Sequence, residues 1–284
     1  MPSPTLLKPI KSPFRYPGGK SKSAPRRAIL SLMPRDTKEY REPFVGGGGI
    51  FFGLRRKVEK VWLNDIHPGL IAVYQALRDR PEHFISRCAE IPIQSQEEVV
   101  PPPVYNRRLR EVFERFKEGE DDEALRYYFL NRTVWAGRVT YDPARASRLY
   151  FSNPTGWNIL KGETLSWAAR RLRGTRLTCG DFERVFREPG KNVWVYADPP
   201  YYRDTQLVNT DKQYEYGFSS SEHKRLMEVM VECPHKVCLS YDNQPQLHVW
   251  AKRNGLRLRQ ASWTYCGTSS AEKRVGKEVL ITNY

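Results

Sequence analysis

The run VWVYADPPYY, residues 193–202, closes an apolar stretch with an acid, two prolines and two tyrosines. Asp198 precedes a proline, so its backbone is biased to extended conformations and it projects from the end of the strand that carries it. Pro199 and Pro200 each fix φ and each remove an N–H donor. What remains is a set of acceptors, a carboxylate and backbone carbonyls, with the aromatic face of Tyr201 beside them. Such a set suits a planar group bearing an NH2, of which the exocyclic amines of adenine and cytosine are examples. The lone pair of such an amine is delocalised into the ring. Accepting both of its hydrogens favours a more tetrahedral nitrogen and frees that lone pair to attack. Catalysis of this kind is electrostatic and positional. For D-P alone, a rigid turn capping a strand is the plainer account.

A second stretch, EPFVGGGGIFFGL, places Gly46, Gly47, Gly48 and Gly49 after one apolar run and before another. Glycine lets the backbone approach a ligand with no Cβ in the way, and open sheets bind ligands at the carboxyl ends of their strands. The spacing is not G-x-G-x-x-G, so a dinucleotide phosphate site is a poor match. Asp65 follows Gly46 by 19 residues, at the end of the next apolar run. An acid there can accept from both hydroxyls of a nucleoside ribose. The alternative is a tight turn with a solvent-exposed aspartate.

These residues need strands to carry them. REPFVGGGG, KVWLNDI, TRLTCGDF, NVWVYADPP and HKVCLSYDN each read as a strand running into turn residues, and LRLRQASW and KEVLITNY read as a final pair. Helical patterns lie between them. PGLIAVYQALRD has its apolar residues on one face, and SSSEHKRLMEVMVE opens with a capping-box pattern from Ser219 to Glu222. Strand–helix alternation predicts an α/β fold, a Rossmann-like, mostly parallel sheet with helices on both faces. The alternation breaks between about residues 80 and 175, where YNRRLREVFERF and DDEALRYYFLNRTVWAG read as helices and the rest as basic loop. The division expected is a catalytic domain at 1–79 and 176–284, with a mainly helical subdomain inserted at 80–175. Pro101 to Pro103 read as a stiff connector near its entrance.

The 284-residue chain carries 47 Lys and Arg against 32 Asp and Glu, a formal charge of +15. The excess concentrates in residues 1–35 and 132–176, and Trp135, Tyr141, Tyr150, Phe151, Trp157 and Trp167 interleave the second patch. Basic groups neutralise phosphates and aromatics stack on bases, so the pattern points to nucleic acid rather than to a merely solvated face. No apolar run reaches the length of a membrane span, and the first residues lack the apolar core of a signal peptide. A cytoplasmic protein with no membrane partner is expected. The five cysteines lack C-x2-C pairing, so no metal site is expected.

In their order, these motifs resemble the Dam-type DNA adenine-N6 methyltransferases over nearly the whole chain. FRYPGGK (14–20) is similar to the family's amino-terminal S-adenosyl-L-methionine motif, EPFVGGGG (42–49) to its methionine-pocket turn, and LNDIHP (63–68) to its ribose motif. CGDF (179–182), DPPYY (198–202), LSYDN (239–243) and RVGKEVLITNY (274–284) also resemble family motifs. The resemblance implies a catalytic set of Asp198, Pro199, Pro200 and Tyr201. Asp198 and the Pro199 carbonyl would take the amine hydrogens, and Tyr201 would stack on the flipped base. It implies cofactor contacts from Tyr16, Lys20, Phe44, Gly46, Gly48, Asp65, Asp181, Phe182 and Asp198. Asp65 would hold the ribose, and Asp181 and Phe182 the cofactor adenine. A recognition segment with Asn131, Arg132, Arg138, Thr140, Tyr141, Arg148, Asn153 and Pro154 would bind double-stranded DNA, with Arg138 or Arg132 reading a guanine or gripping phosphates. A cognate restriction endonuclease or second methyltransferase is a further partner the family implies. A cytosine-N4 enzyme, an RNA methyltransferase and a non-catalytic DNA-binding module are the competing readings.

Overall fold

The computed structural model describes residues 12–15, 20, 22–91, 102–117, 122–134, 139, 162–201, 218–264 and 275–284. Among the described residues seven strands form: β1 Glu39–Glu42, β2 Lys60–Asp65, β3 Arg176–Cys179, β4 Val193–Ala197, β5 Lys236–Asp242, β6 Arg257–Thr264 and β7 Val275–Thr282. Six follow the strand runs identified, while β1 overlaps REPFVGGGG only at Arg41 and Glu42. They make one sheet in the order β3-β2-β1-β4-β5-β7-β6. The first five strands in that order are parallel, and β7 enters antiparallel between β5 and β6. Chain order runs outward from β1 to β3 on one side and from β4 to β5 on the other. The reversal between β1 and β4 is the topological switch point, where open α/β sheets bind ligands.

The helices among the described residues are α1 Ser23–Ser31, α2 Pro68–Asp79, α3 Pro81–Glu90, α4 Pro102–Lys117, α5 Glu123–Thr133, α6 Gly162–Leu172, α7 Glu183–Arg187, α8 Ser220–Glu232 and α9 Pro245–Arg253. Every residue of β4 is buried, as expected of a central strand covered on both faces. Its alternation divides the core in two. Trp194 and Tyr196 join the first cluster, with residues of α1 to α6. Val193, Val195 and Ala197 join the second, with residues of α7, α8 and α9. Helices therefore cover both faces, as the alternation predicts. The capping box of α8 forms as read: the Ser219 side chain accepts from the Glu222 N–H, and the Glu222 side chain accepts from the Ser219 N–H.

The described helices of the segment after residue 80 pack into one cluster with α2 and the sheet. Leu125 and Tyr128 of α5 and Leu165 and Leu172 of α6 are buried in that cluster. A break in strand–helix alternation is thus not a break in the core. Pro102 and Pro103 open α4, where a missing N–H is harmless because the first-turn donors have no intrahelical partner; Pro101 lies outside the described residues.

Candidate active site

Parallel strands end on the same edge of the sheet, and here that edge is acidic. Asp65 and Glu42 are the last residues of β2 and β1, Asp242 is the last of β5, and Asp198 directly follows β4. Because β7 runs the other way, its first half reaches the same edge, and Glu278 pairs in register with Asp242. A row of five carboxylates thus borders the switch point of a protein whose net charge is +15.

Lys20 sits inside this row. Its Nζ lies 3.0 Å from Asp198 Oδ1 and 3.0 Å from Glu278 Oε2. The Tyr201 hydroxyl is 2.8 Å from Glu278 Oε2, 3.0 Å from Asp198 Oδ1 and 3.3 Å from Ser240 Oγ. Ser240 Oγ donates to Glu278 Oε2 at 3.1 Å. Lys20 Nζ also stands 4.3 Å from the centroid of the Tyr201 ring, and the Tyr241 ring lies 5.6 Å from it, centroid to centroid. A base stacking on Tyr201 therefore has to share the ring with an ammonium. The Asp198 side chain keeps 26% of its exposure, whereas that of Glu278 keeps none.

Burial pushes the Asp198 carboxyl up to about 6; Lys20 opposes the rise, and Glu278 and Asp242 add to it. Burial also holds the Glu42 carboxyl well above the usual carboxylate range, against a hydrogen bond donated by Tyr40 Oη at 2.8 Å. Asp65 is raised for the same reason. Unfavourable solvation of several neighbouring anions is the electrostatic signature of a site shaped for a cation.

Asp65 is buried, so the solvent-exposed alternative falls away. Its Oδ2 accepts from the Gly46 N–H at 2.9 Å and its Oδ1 from the His67 N–H at 3.1 Å, which ties the glycine turn to the end of β2. The turn itself is tight. Gly46 and Gly48 have φ of 45° and 63°, and the Tyr74 hydroxyl donates to the Gly46 carbonyl at 3.0 Å. A Cβ on Gly48 would stand 2.6 Å from the Tyr74 hydroxyl and 2.9 Å from Phe52 Cδ2. Gly255 has nearly the same φ, 64°, with nothing within 4 Å of a Cβ. Gly48→Ala is therefore expected to destabilise the protein by about 1–3 kcal/mol more than Gly255→Ala, the difference being overpacking alone. Urea denaturation of the two variants measures it, and equal losses would mean that the turn relaxes freely.

Beside the turn, Phe44 and Phe182 stand 5.3 Å apart, and Phe218 completes a trio at 5.7 and 5.5 Å from them. Asp181 is exposed and forms a two-pronged pair with Arg225, whose guanidinium lies 4.6 Å from the Phe182 ring centroid. Sequence reasoning missed Phe218, Arg225, Ser240, Glu42 and Glu278. Glu42, Ser240 and Glu278 lie inside the motifs quoted above, and for Glu278 an acid within the apolar strand β7 was the available signal.

The predicted DNA contacts need correction where they are described. Asn131 and Arg132 do not face outward. Asn131 is fully buried; its Nδ2 donates to the Arg15 carbonyl at 2.6 Å and its Oδ1 accepts from the Arg15 N–H at 2.9 Å. Arg132 is buried and donates to the Pro13 carbonyl at 3.1 Å. Both hold the segment that leads to Lys20. Within the basic patch, Arg171 donates to the Leu54 carbonyl and Arg176 pairs with Glu188 and lies over Trp62. Tyr16, Arg138, Thr140, Tyr141, Arg148, Asn153 and Pro154 lie outside the described residues.

An acceptor-rich sheet edge beside a glycine turn is the layout the sequence motifs imply, and comparison with known proteins agrees. The chain is 26% identical over 279 residues to the type II methyltransferase M1.LlaDCHI of Lactococcus lactis subsp. cremoris, covering 96% of this chain and 95% of that protein. It is 25% identical over 228 residues to the type II methyltransferase M.MjaIII of Methanocaldococcus jannaschii, covering 76% and 78%. A DNA adenine methylase of Haemophilus influenzae is 24% identical over 281 residues, covering 95% and 92%. Residues 16–263 match the family model of the D12 class N6 adenine-specific DNA methyltransferases. With the match spanning most of the chain, from before Lys20 through the sheet edge that ends in Asp198 and Tyr201, the protein belongs to the D12 class of N6 adenine-specific DNA methyltransferases.

Proposed function

We propose that the chain uses S-adenosyl-L-methionine to methylate N6 of an adenine swung out of double-stranded DNA, with Asp198 as the acceptor for the target amine. The observation that carries this reading is the row of carboxylates on the strand ends around Lys20, which suits a donor bearing a sulfonium and an ammonium. Asp65 would accept from the ribose, the turn at Gly46 and Gly48 would let the donor lie close to backbone, and Phe44 and Phe182 would flank its adenine. Bound there, S-adenosyl-L-methionine supplies a sulfonium methyl, whose S–C bonding pair stays on sulfur as the N6 lone pair forms the new N–C bond.

The residues of the chain do the rest. Asp198 and the Pro199 carbonyl accept the N–H groups of N6 and offset the positive charge that grows on it. With a carboxyl near about 6, Asp198 is also matched to take the proton that N6 then releases. The target cannot be reached inside a duplex; extruding it costs a few kcal/mol, to which basic side chains gripping the backbone respond. The relatives named as type II methyltransferases support a modification role beside a restriction endonuclease, and a cytoplasmic place follows from a DNA substrate. Among the described residues no helix is long and apolar enough to cross a membrane.

Tritiated S-adenosyl-L-methionine offered with DNA, RNA or protein tests the reading. N6-methyladenine in DNA alone is the expected product, and label in RNA or protein overturns it. Affinity for DNA should also fall steeply with salt, by about a thousandfold between 50 and 200 mM if six or more phosphates are neutralised. A titration at several salt concentrations reads the slope, and a flat one means the basic excess faces something else.

A further inference from the structure

We propose that Glu278 is a positioning residue for methyl transfer: it draws the Lys20 ammonium and the Tyr201 hydroxyl to itself, so that Asp198 keeps one oxygen open for the target amine. This rests on the reading of Asp198 given above. The geometry is specific. Both contacts that the described residues make to Asp198, from Lys20 and from Tyr201, fall on Oδ1. Oδ2 has none among them, and the side chain is still 26% exposed. Glu278, fully buried, takes Lys20 on both oxygens, at 3.2 Å on Oε1 and 3.0 Å on Oε2, and Tyr201 at 2.8 Å.

Hydrogen counting makes the consequence clear. Tyr201 has a single phenolic hydrogen and meets two carboxylates, the shorter contact being to Glu278. Lys20 has one positive charge between two acids. Glu278 thus competes with Asp198 for both donors, and among the described residues the two carboxylates share one ammonium, next to where N6 becomes positive. Without that competitor, the ammonium and the phenol would both turn to Asp198 and cap the acceptor. The strand directions explain the reach: Ser240, Asp242, Glu278 and Leu280 share one face of the β5–β7 ladder, and Ser240 adds the third donor to Glu278.

Glu278→Gln keeps the shape and removes the charge. The groups that bear on Asp198 are Lys20 from the amino-terminal segment, Glu42 of β1, Tyr196 before it on β4, Tyr201 after it, Cys238 and Asp242 of β5 and Glu278 of β7. Losing Glu278 among them removes an anion, so the acid limb of kcat is expected to move to lower pH. We expect kcat at neutral pH to fall about tenfold to a hundredfold, less than the roughly hundredfold to thousandfold cost of losing a preorganised group that itself faces the developing charge, with KM for the methyl donor and for DNA nearly unchanged. A purely structural role would lower stability and leave the plateau of kcat above the limb unchanged. Glu278→Asp keeps the charge but not the reach. It should hold the limb at its wild-type pH with a severalfold lower kcat, and it decides the matter if the glutamine variant does not fold. Unchanged kcat in either folded variant, or an unmoved limb in Glu278→Gln, overturns the proposal. Asp198→Asn separates the two ideas. If that variant keeps turnover, the reading of Asp198 fails; if it is inactive while Glu278→Gln behaves as wild type, only Glu278 is misassigned.

Discussion

Asp198→Asn is expected to lower kcat by about a hundredfold to a thousandfold, the range seen when one preorganised group facing the developing charge is lost. The amide keeps one acceptor but turns a donor toward the amine it should receive, and it cannot take up a proton. Binding of the methyl donor and of DNA should survive, because Asp65, the glycine turn and the basic surface are untouched. In the wild-type enzyme the competent form is the unprotonated carboxylate. Burial has raised this carboxyl to about 6, so kcat should rise with pH through that value and fall below it, by about tenfold one pH unit further down. Single-turnover rates across that range provide the check. A flat profile, or a variant that turns over normally, removes Asp198 from the chemistry.

Lys20→Met should have the second-largest effect, and its pH signature runs opposite to that of Glu278→Gln. The change removes the ammonium that Asp198 and the fully buried Glu278 share. Removing one partner of a buried charge cluster costs about 3–5 kcal/mol. Lys20 currently holds the Asp198 carboxyl down, so its loss raises that group further and moves the acid limb of kcat to higher pH. The sign for stability follows from proton uptake. A carboxyl whose folded value lies above its unfolded one binds more protons when folded, so the variant loses stability as pH rises through the folded value and regains it as pH falls. Urea denaturation of both proteins on either side of pH 6 should show a larger gap on the alkaline side. A gap that does not depend on pH would mean that Lys20 acts through packing alone.

Why some of this could be read directly and some not is visible in single residues. Six of the runs gave strands in place because β-branched and aromatic residues bounded by turn formers fit a pleated, covered surface almost wherever it lies, whereas β1, Glu39–Glu42, lies mostly ahead of its run and is held by parallel pairing with β2 and β4. The capping box at Ser219 was readable because its bonds stay within four residues. Asn131 and Arg132 were misread for the opposite reason. A polar residue in a helix signals the surface unless a distant segment satisfies it. Here the partners, at Arg15 and Pro13, lie more than a hundred positions away. The shared cluster of α3, α5 and α6 with α2 was not legible either, because tertiary packing and not the order of elements decides which helix faces meet.

By itself, the sequence determined the local chemistry: an acid forced to project by two prolines, glycines where φ must be positive, and an excess of positive charge suited to DNA. These follow from covalent geometry and charge, which need no fold to act. Only the tertiary structure decided which of these groups meet. Inserting β7 antiparallel between β5 and β6 carries Glu278, six residues from the end of the chain, to the edge where parallel strands deliver Asp198 and Asp242. Nothing in KEVLITNY states a strand direction; pairing between distant backbones sets it. That pairing places Lys20 between two carboxylates 178 and 258 positions away.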